Sequence, residues 1–259
     1  MKTILFTGAR SGIAASVIDR LLDENFKIYV TVHTKDELEQ VNGIYSNYSC
    51  VECFVLDVTS KIDREKLRKI DIDVIVLNAA LCIGGTLVNL DSSLIRKNYE
   101  VNVFSNLELI QTILPNMIKK KSGKIIVISS LAGIYPVSFI GSYSSSKAAL
   151  IKITETLRRE VKLIDKNIKF CLIEPGFYYT GFNQVMFDES YDTLDIYFKN
   201  KKDIIINRNK LIHKFIEKKN LDSIVKKIIK AINSTGNKFI YRAPFLQVVG
   251  AKIYSLFFE

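Results

Sequence analysis

The 259-residue chain has no apolar run approaching the ~18–20 residues that a membrane span needs. It has four cysteines, scattered and without the spacing of a disulfide framework. A stapled secreted domain is therefore not the reading, and a reducing cytoplasm is the expected location. Cys50 and Cys53 lie three apart, but no histidine or second cysteine pair accompanies them. Side chains three apart on a strand point to opposite faces, so the pair reads as strand filler and no metal site is expected. No internal repeat stands out. Acid is in short supply: 37 Lys and Arg stand against 27 Asp and Glu, for a net charge of +10. The excess gathers after residue 198, from Lys199 to Lys230. Such a field suits nucleic acid or an anionic membrane surface. The region carries no recognisable nucleic-acid motif, however, and lysine, isoleucine and asparagine are used heavily throughout. No specific nucleic-acid partner is expected.

What is present is a sizeable apolar fraction, 48% of residues, with 25% charged. That suits one globular α/β domain over residues 1–259. Short apolar runs alternate with helical patterns, the signature of βαβ units and a parallel sheet with helices on both faces. Strands are expected at 2–7, 27–33, 50–56, 73–77, 124–129, 168–173 and 238–242. Helices are expected near 12–24, 35–45, 61–69, 91–120, 143–165 and 220–233. The run Ile4 to Phe6 is short and passes straight into a glycine loop, so it reads as a buried strand rather than a secretory leader. Residues 181–220 fit no compact βα pattern. They begin acidic and aromatic, around Phe187, Asp188, Glu189 and Tyr191, and turn basic. A long insertion of this kind reads as a lid.

Two segments carry chemistry. Thr7-Gly8-Ala9-Arg10-Ser11-Gly12 follows the first strand and opens a helix with Ile13, Val17, Ile18, Leu21 and Leu22 apolar. Strand, glycine turn and helix is the context of a phosphate-binding loop, in which backbone N–H groups and the helix N-terminus meet a diphosphate. The second segment holds Tyr143 and Lys147, one helical turn apart on one face. A phenol ordinarily loses its proton near pH ~10, and an ammonium alongside pulls that value down. The pair is a candidate acid/base, and a serine of the Ser129-Ser130 pair is placed to steady a substrate oxygen. Strand alternation allows only one of the two serines to point in. Ser144, Ser145 and Ser146 read as helix filler.

Taken together, these residues resemble the classical short-chain dehydrogenase/reductase family over roughly residues 1 to 180. Its glycine motif is matched by Thr7, Gly8, Gly12 and then Ala14, which replaces the third glycine. Its Asn-Asn-Ala-Gly is matched by Leu77-Asn78-Ala79-Ala80, its helix asparagine by Asn102, and its Pro-Gly by Pro175-Gly176 with Thr180 following. The family's serine-to-tyrosine spacing selects Ser130. The resemblance implies a single-domain Rossmann fold, a doubly wound seven-stranded parallel sheet with the cofactor at the carboxyl ends of the strands. It implies hydride transfer between NAD(P)(H) and a carbonyl or secondary alcohol. Tyr143 would be the acid/base, Ser130 the oxyanion donor, and Lys147 the holder of the nicotinamide ribose. Asn102 would hold a water linking Lys147 to solvent. Cofactor contacts are expected at Gly8, Arg10, Ser11, Gly12, Ile13, His33, Asp57, Val58, Asn78, Ala79, Tyr143, Lys147, Pro175, Gly176 and Thr180. Asp57 has a second reading as a helix cap. Leu77 and Ala80 replace polar and glycine positions beside the cofactor. The alternative from another class is a nucleotide-sensing or scaffold protein of the same fold.

Val32 ends the second strand where an NAD-preferring member carries an acid, with Arg10, His33 and Lys35 nearby. NADP(H) is therefore the favoured cofactor and NAD(H) the second choice. A homodimer or homotetramer is expected, because helices 91–120 and 143–165 carry apolar positions beyond one stripe: Leu107, Leu109, Ile110, Ile113, Leu114, Leu150, Ile151, Ile153 and Leu157. The tail 243–259 is apolar nearly all round as a helix, with Phe245, Leu246, Val248, Val249, Ile253, Leu256, Phe257 and Phe258. Two readings stay open for it: burial against the lid or a neighbouring subunit, or shallow peripheral attachment to an anionic membrane.

Overall fold

The computed structural model describes residues 1–258, and their side chains except those of Met186, Glu189, Ile212, His213 and 254–258. Leu256, Phe257 and Phe258 of the tail, and Glu189 of the segment expected to be a lid, thus lie outside the described side chains. Seven strands form one parallel sheet: β1 (Lys2–Phe6), β2 (Phe26–Val32), β3 (Val51–Val55), β4 (Val74–Leu77), β5 (Gly123–Ile128), β6 (Ile168–Pro175) and β7 (Ile240–Ala243). Their order is β3-β2-β1-β4-β5-β6-β7, so the winding reverses between β1 and β4. Ligands collect at the carboxyl ends of strands at such a reversal.

The period-2 alternation of the strands divides the interior into two cores. Ile4, Phe6, Val74, Val76, Ile126 and Ile128 face the first, and Leu5, Ile75, Leu77, Ile125 and Val127 face the second. Helices α1 (Gly12–Leu21), α2 (Lys35–Tyr45) and α9 (Asp222–Asn233) cover the first core. The second is covered by the turn after α3 (Lys61–Lys66), by α5 (Ser105–Lys119) and by α6 (Gly141–Ile164). Ala14 is buried in the first core, so the methyl that replaces the expected glycine is absorbed by packing.

Three expectations are corrected. Helix 91–120 is not one regular helix: α4 (Ser92–Tyr99) and α5 are joined by a π-helical turn, Glu100–Phe104. Residues 181–220 are largely helical, with α7 (Phe182–Tyr191), two 3₁₀ turns and α8 (Lys202–Ile216). The abrupt change from acidic to basic hid the helical spacing of the buried Ile205 and Asn209 in α8. The apolar positions offered as a second stripe are all buried or half-buried within one chain, with Leu114 and Leu157 packed against the second core. They leave no fully exposed stripe. The tail forms α10 (Phe245–Phe258). None of the helices, over the described residues, is long and apolar enough to cross a membrane.

Candidate active site

The loop after β1 is stapled to the end of β4. Buried Thr7 accepts hydrogen bonds through its hydroxyl from the backbone N–H of Asn78 and of Ala79, both at 3.0 Å. Asn78 returns a bond from its side-chain amide to the carbonyl of Gly8 at 2.8 Å. Gly8 adopts φ +61°, and a Cβ there would sit 2.7 Å from the Ala79 Cα, so only glycine lets the two loops approach this closely. Helix α1 starts at Gly12, and its N-cap Ser11 makes no side-chain capping bond. The first N–H groups of α1 therefore open toward the adjoining cleft without a cap.

That cleft, of about 510 Å³, is lined by Gly8, Arg10, Ser11, Gly12, Ile13, His33, Asp57, Val58, Asn78 and Ala79 at one end. Ser130, Tyr143, Lys147, Pro175, Gly176 and Thr180 line the other. Every expected cofactor contact thus lies on one continuous surface. Uncapped helix amides and an ammonium make a donor set that fits a nicotinamide dinucleotide. Asp57 does not cap α3; Ser60 does, accepting from the N–H of Asp63. The Asp57 carboxylate instead accepts from the N–H and hydroxyl of Thr59. Leu77 points into the second core rather than into the cleft.

Ser130 caps the 3₁₀ turn Leu131–Gly133, its hydroxyl accepting from the N–H of Ala132 at 3.1 Å. A Cβ on Gly133 would meet the Lys147 carbonyl carbon at 2.9 Å, so glycine there lets the Ser130 turn pack on α6. Ser129 also borders the cleft, but its hydroxyl is engaged, donating to the Lys147 carbonyl oxygen at 3.2 Å. This assigns the two serines separate tasks, Ser130 on the cleft beside Tyr143 and Ser129 as a strut under α6.

Tyr143 and Lys147 are 8% and 2% exposed. The Lys147 ammonium donates to the Ile128 carbonyl at 3.0 Å and lies 5.6 Å from the Tyr143 ring centre. Burial raises the Tyr143 phenol well above its ordinary range, neighbouring Cys82 adds to the rise, and the Ser130 hydroxyl works against it. This reverses the expectation that the ammonium draws the phenol toward neutrality. Lys147 is bonded to a backbone carbonyl rather than aimed at the phenol, and burial lowers its own pKa to about 8. Cys82 packs with Ala132, Ile140, Tyr143 and Phe187 in a small apolar cluster of its own.

Asn102 sits in the π-helical turn and does not line the cleft. Its side chain accepts from the Leu81 N–H at 2.8 Å and donates to the Leu81 carbonyl and to the Ser146 hydroxyl. Asn98, one turn earlier, repeats the pattern on Ile83 and donates to Ser142 at 2.7 Å. Two asparagines four apart thus clamp the loop after β4 and tie it to α6. Ser146 is a partner in this clamp and not filler. Asn98 and Ser142 were missed, although their spacing from Asn102 and Ser146 repeats one helical turn. Glu37 was missed as well. It lines the cleft, accepts from the His33 and Thr34 N–H groups at the start of α2, and pairs with Arg10 at 3.6 Å.

A family model described as short chain dehydrogenase matches residues 2–190. The 3-ketodihydrosphingosine reductase of Bacteroides thetaiotaomicron is 33% identical over 185 residues, 69% of this chain and 65% of that protein. The chain spans just under two thirds of the length of the curated relatives it matches first. A short chain dehydrogenase/reductase from Burkholderia phymatum in complex with NAD shares the fold with TM-score 0.80 at 17% identity, over 98% of this chain and 93% of that one. A short-chain dehydrogenase from Sphingobium yanoikuyae in complex with NADPH does so with TM-score 0.75 at 18% identity, over 99% and 95%.

Proposed function

Because the chain belongs to the short-chain dehydrogenase family, we propose that it is an NAD(P)(H)-dependent oxidoreductase acting on a carbonyl or secondary alcohol. The observation that carries this reading is the meeting of Ser130, Tyr143 and Lys147 in one cleft with the uncapped start of α1. When bound, the nicotinamide cofactor would supply or accept the hydride. Gly8, Ser11, Gly12 and the first amides of α1 would hold its diphosphate, and Lys147 its nicotinamide ribose. The Ser130 hydroxyl would donate to the substrate oxygen as charge develops there. Tyr143 would give its phenolic proton to that oxygen in reduction and take it back in oxidation. Its raised pKa keeps it protonated, the form a donor requires.

NADP(H) is the cofactor proposed. Val32 ends β2 without a carboxylate, and Arg10 and His33 line the cleft with exposed side chains. Glu37, paired with Arg10, opposes that preference and sets its size. A scaffold role is the weaker reading, since Ser130, Tyr143 and Lys147 are all present and line one cleft. The name of the Bacteroides relative points to reduction of a ketone. Reduced cofactor consumption against ketones, aldehydes, sugars and acyl thioesters tests the proposal. Turnover of at least one class supports it, and no turnover with any, despite tight cofactor binding, favours the scaffold reading.

A further inference from the structure

Three segments meet beside the substrate end of the cleft. The Gln247 side chain of α10 accepts from the Phe177 N–H and donates to the carbonyls of Phe177 and Ile216. The backbone of Lys218 pairs with Phe177 and Tyr179. Gln184 of α7 donates to the Glu217 carboxylate. The start of α7, the end of α8 and the start of α10 therefore form one surface, and the cleft-lining Phe177 and Phe182 belong to it. Its outward side chains are large and apolar: Val185, Phe215 (75% exposed), Phe245 (77%) and Leu246 (81%). Residues 199–219, which lead into it, hold eight basic residues against two acidic ones.

We propose that this surface docks on an anionic lipid bilayer, with Phe215, Phe245 and Leu246 entering the headgroup boundary and the lysines of residues 199–219 over the headgroups. Apolar side chains beside a basic segment, in which Lys202 is paired with an acid, Asp195, match the two layers of such an interface, acyl chains and anionic headgroups. A second copy of the chain fits less well. A twofold contact places the same patch on both sides, and lysine would face lysine. A nucleic acid would meet the lysines but leave the three largest apolar groups without partners. Docked in this way, the cleft opens toward the membrane. Its substrate would then be an amphipathic carbonyl or alcohol drawn from the bilayer, a consequence that rests on the oxidoreductase reading above.

The test is co-sedimentation of the full chain with vesicles of phosphatidylglycerol and phosphatidylcholine, and of phosphatidylcholine alone, at low and high salt. Binding is expected to the anionic vesicles and to weaken with salt. The double variant Phe245→Asp, Leu246→Asp should lose at least ten-fold in binding. Both side chains are exposed, so the fold and the affinity for reduced cofactor should hold, and these are measured alongside. Absence of binding to anionic vesicles at low salt overturns the proposal, as does unchanged binding by the double variant. Light scattering that shows a dimer dissolved by the same variant assigns the patch to a second copy and also overturns it. Vesicle binding without turnover on any carbonyl would instead overturn the oxidoreductase reading and leave the docking surface standing.

Discussion

Burial moves the protons of Tyr143 and Lys147 in opposite senses, holding one on the phenol and loosening one from the ammonium. For Lys147 this has a direct consequence. Its pKa falls to about 8 from 10.5, so between those values the unfolded chain binds more protons than the folded one. Stability then rises with pH across that window, and below about 8 the full cost of the buried charge is felt. The melting temperature without added cofactor, followed from pH 7 to 10, should rise more steeply in the native protein than in Lys147→Ala. Lys124, whose pKa burial also lowers, adds to the rise in both, and the raised thiols of Cys53 and Cys171 oppose it in both. Equal slopes for the two would contradict the assignment. Affinity for reduced cofactor should fall in the same pH range as the ammonium is lost, and Lys147→Ala should weaken binding throughout. A second prediction at this scale concerns Arg10 and Glu37, paired at 3.6 Å. Arg10→Ala should shrink the preference for NADPH over NADH, whereas Glu37→Gln should enlarge it several-fold, because glutamine keeps the cap on α2 and frees the guanidinium. Fluorescence titration of both cofactors reads the ratio, and a Glu37→Gln variant with unchanged or smaller preference would refute the opposing role of the carboxylate.

Among the elements, the turn that interrupts α4 and α5 matters most to the site. π-helical turns recur at functional sites. This one carries Asn102, and the α4 turn before it carries Asn98, so that both clamp the loop after β4. Asn98→Ala strips the backbone of Ile83 and the Ser142 hydroxyl of their partner. Leaving buried polar groups unpaired costs ~1–3 kcal/mol, so the melting temperature should drop by several degrees. Turnover should fall with it, because the clamp positions α6. Calorimetry and kinetics check both, and an unchanged melting temperature would contradict the clamp. Much of this level was legible in the sequence. The strands showed themselves by alternation, and Asn102 by its place in a family pattern. Asn98, Ser142 and Ser146 were not, because asparagine and serine on a helix look alike whether they face water or another helix. The helices of residues 181–220 were masked by the change in charge between Asp195 and Lys201.

For the whole molecule, the site residues come from stretches far apart in sequence, and the reversal of strand order between β1 and β4 gathers them. That is why the fifteen cofactor contacts proposed from the family resemblance lie on one cleft surface, while the departures involve partners that only the folded chain brings near, such as Glu37 on Arg10. The oligomeric state is less well written. Most of the apolar positions on α5 and α6 that suggested a second stripe are taken up by the chain's own second core, as Leu109, Ile110 and Leu150 show, while Leu107 and Ile153 are half-buried outside it. We nonetheless propose a homodimer or homotetramer, for which light scattering at micromolar concentration should give two or four times the 29.5 kDa of one chain. A monomer there would contradict it.

The central claim is that Tyr143 carries the proton, and Tyr143→Phe compared with the native protein tests it most directly. The measurement is steady-state turnover of a verified carbonyl substrate, beside titration of reduced cofactor. The ring packs in the apolar cluster of Cys82, Ala132, Ile140 and Phe187, and phenylalanine keeps that packing. Cofactor affinity should therefore stay within a few-fold, while turnover falls by ~10²–10⁴, the usual contribution of a general acid. A variant that binds cofactor normally and keeps most of its turnover would contradict the account.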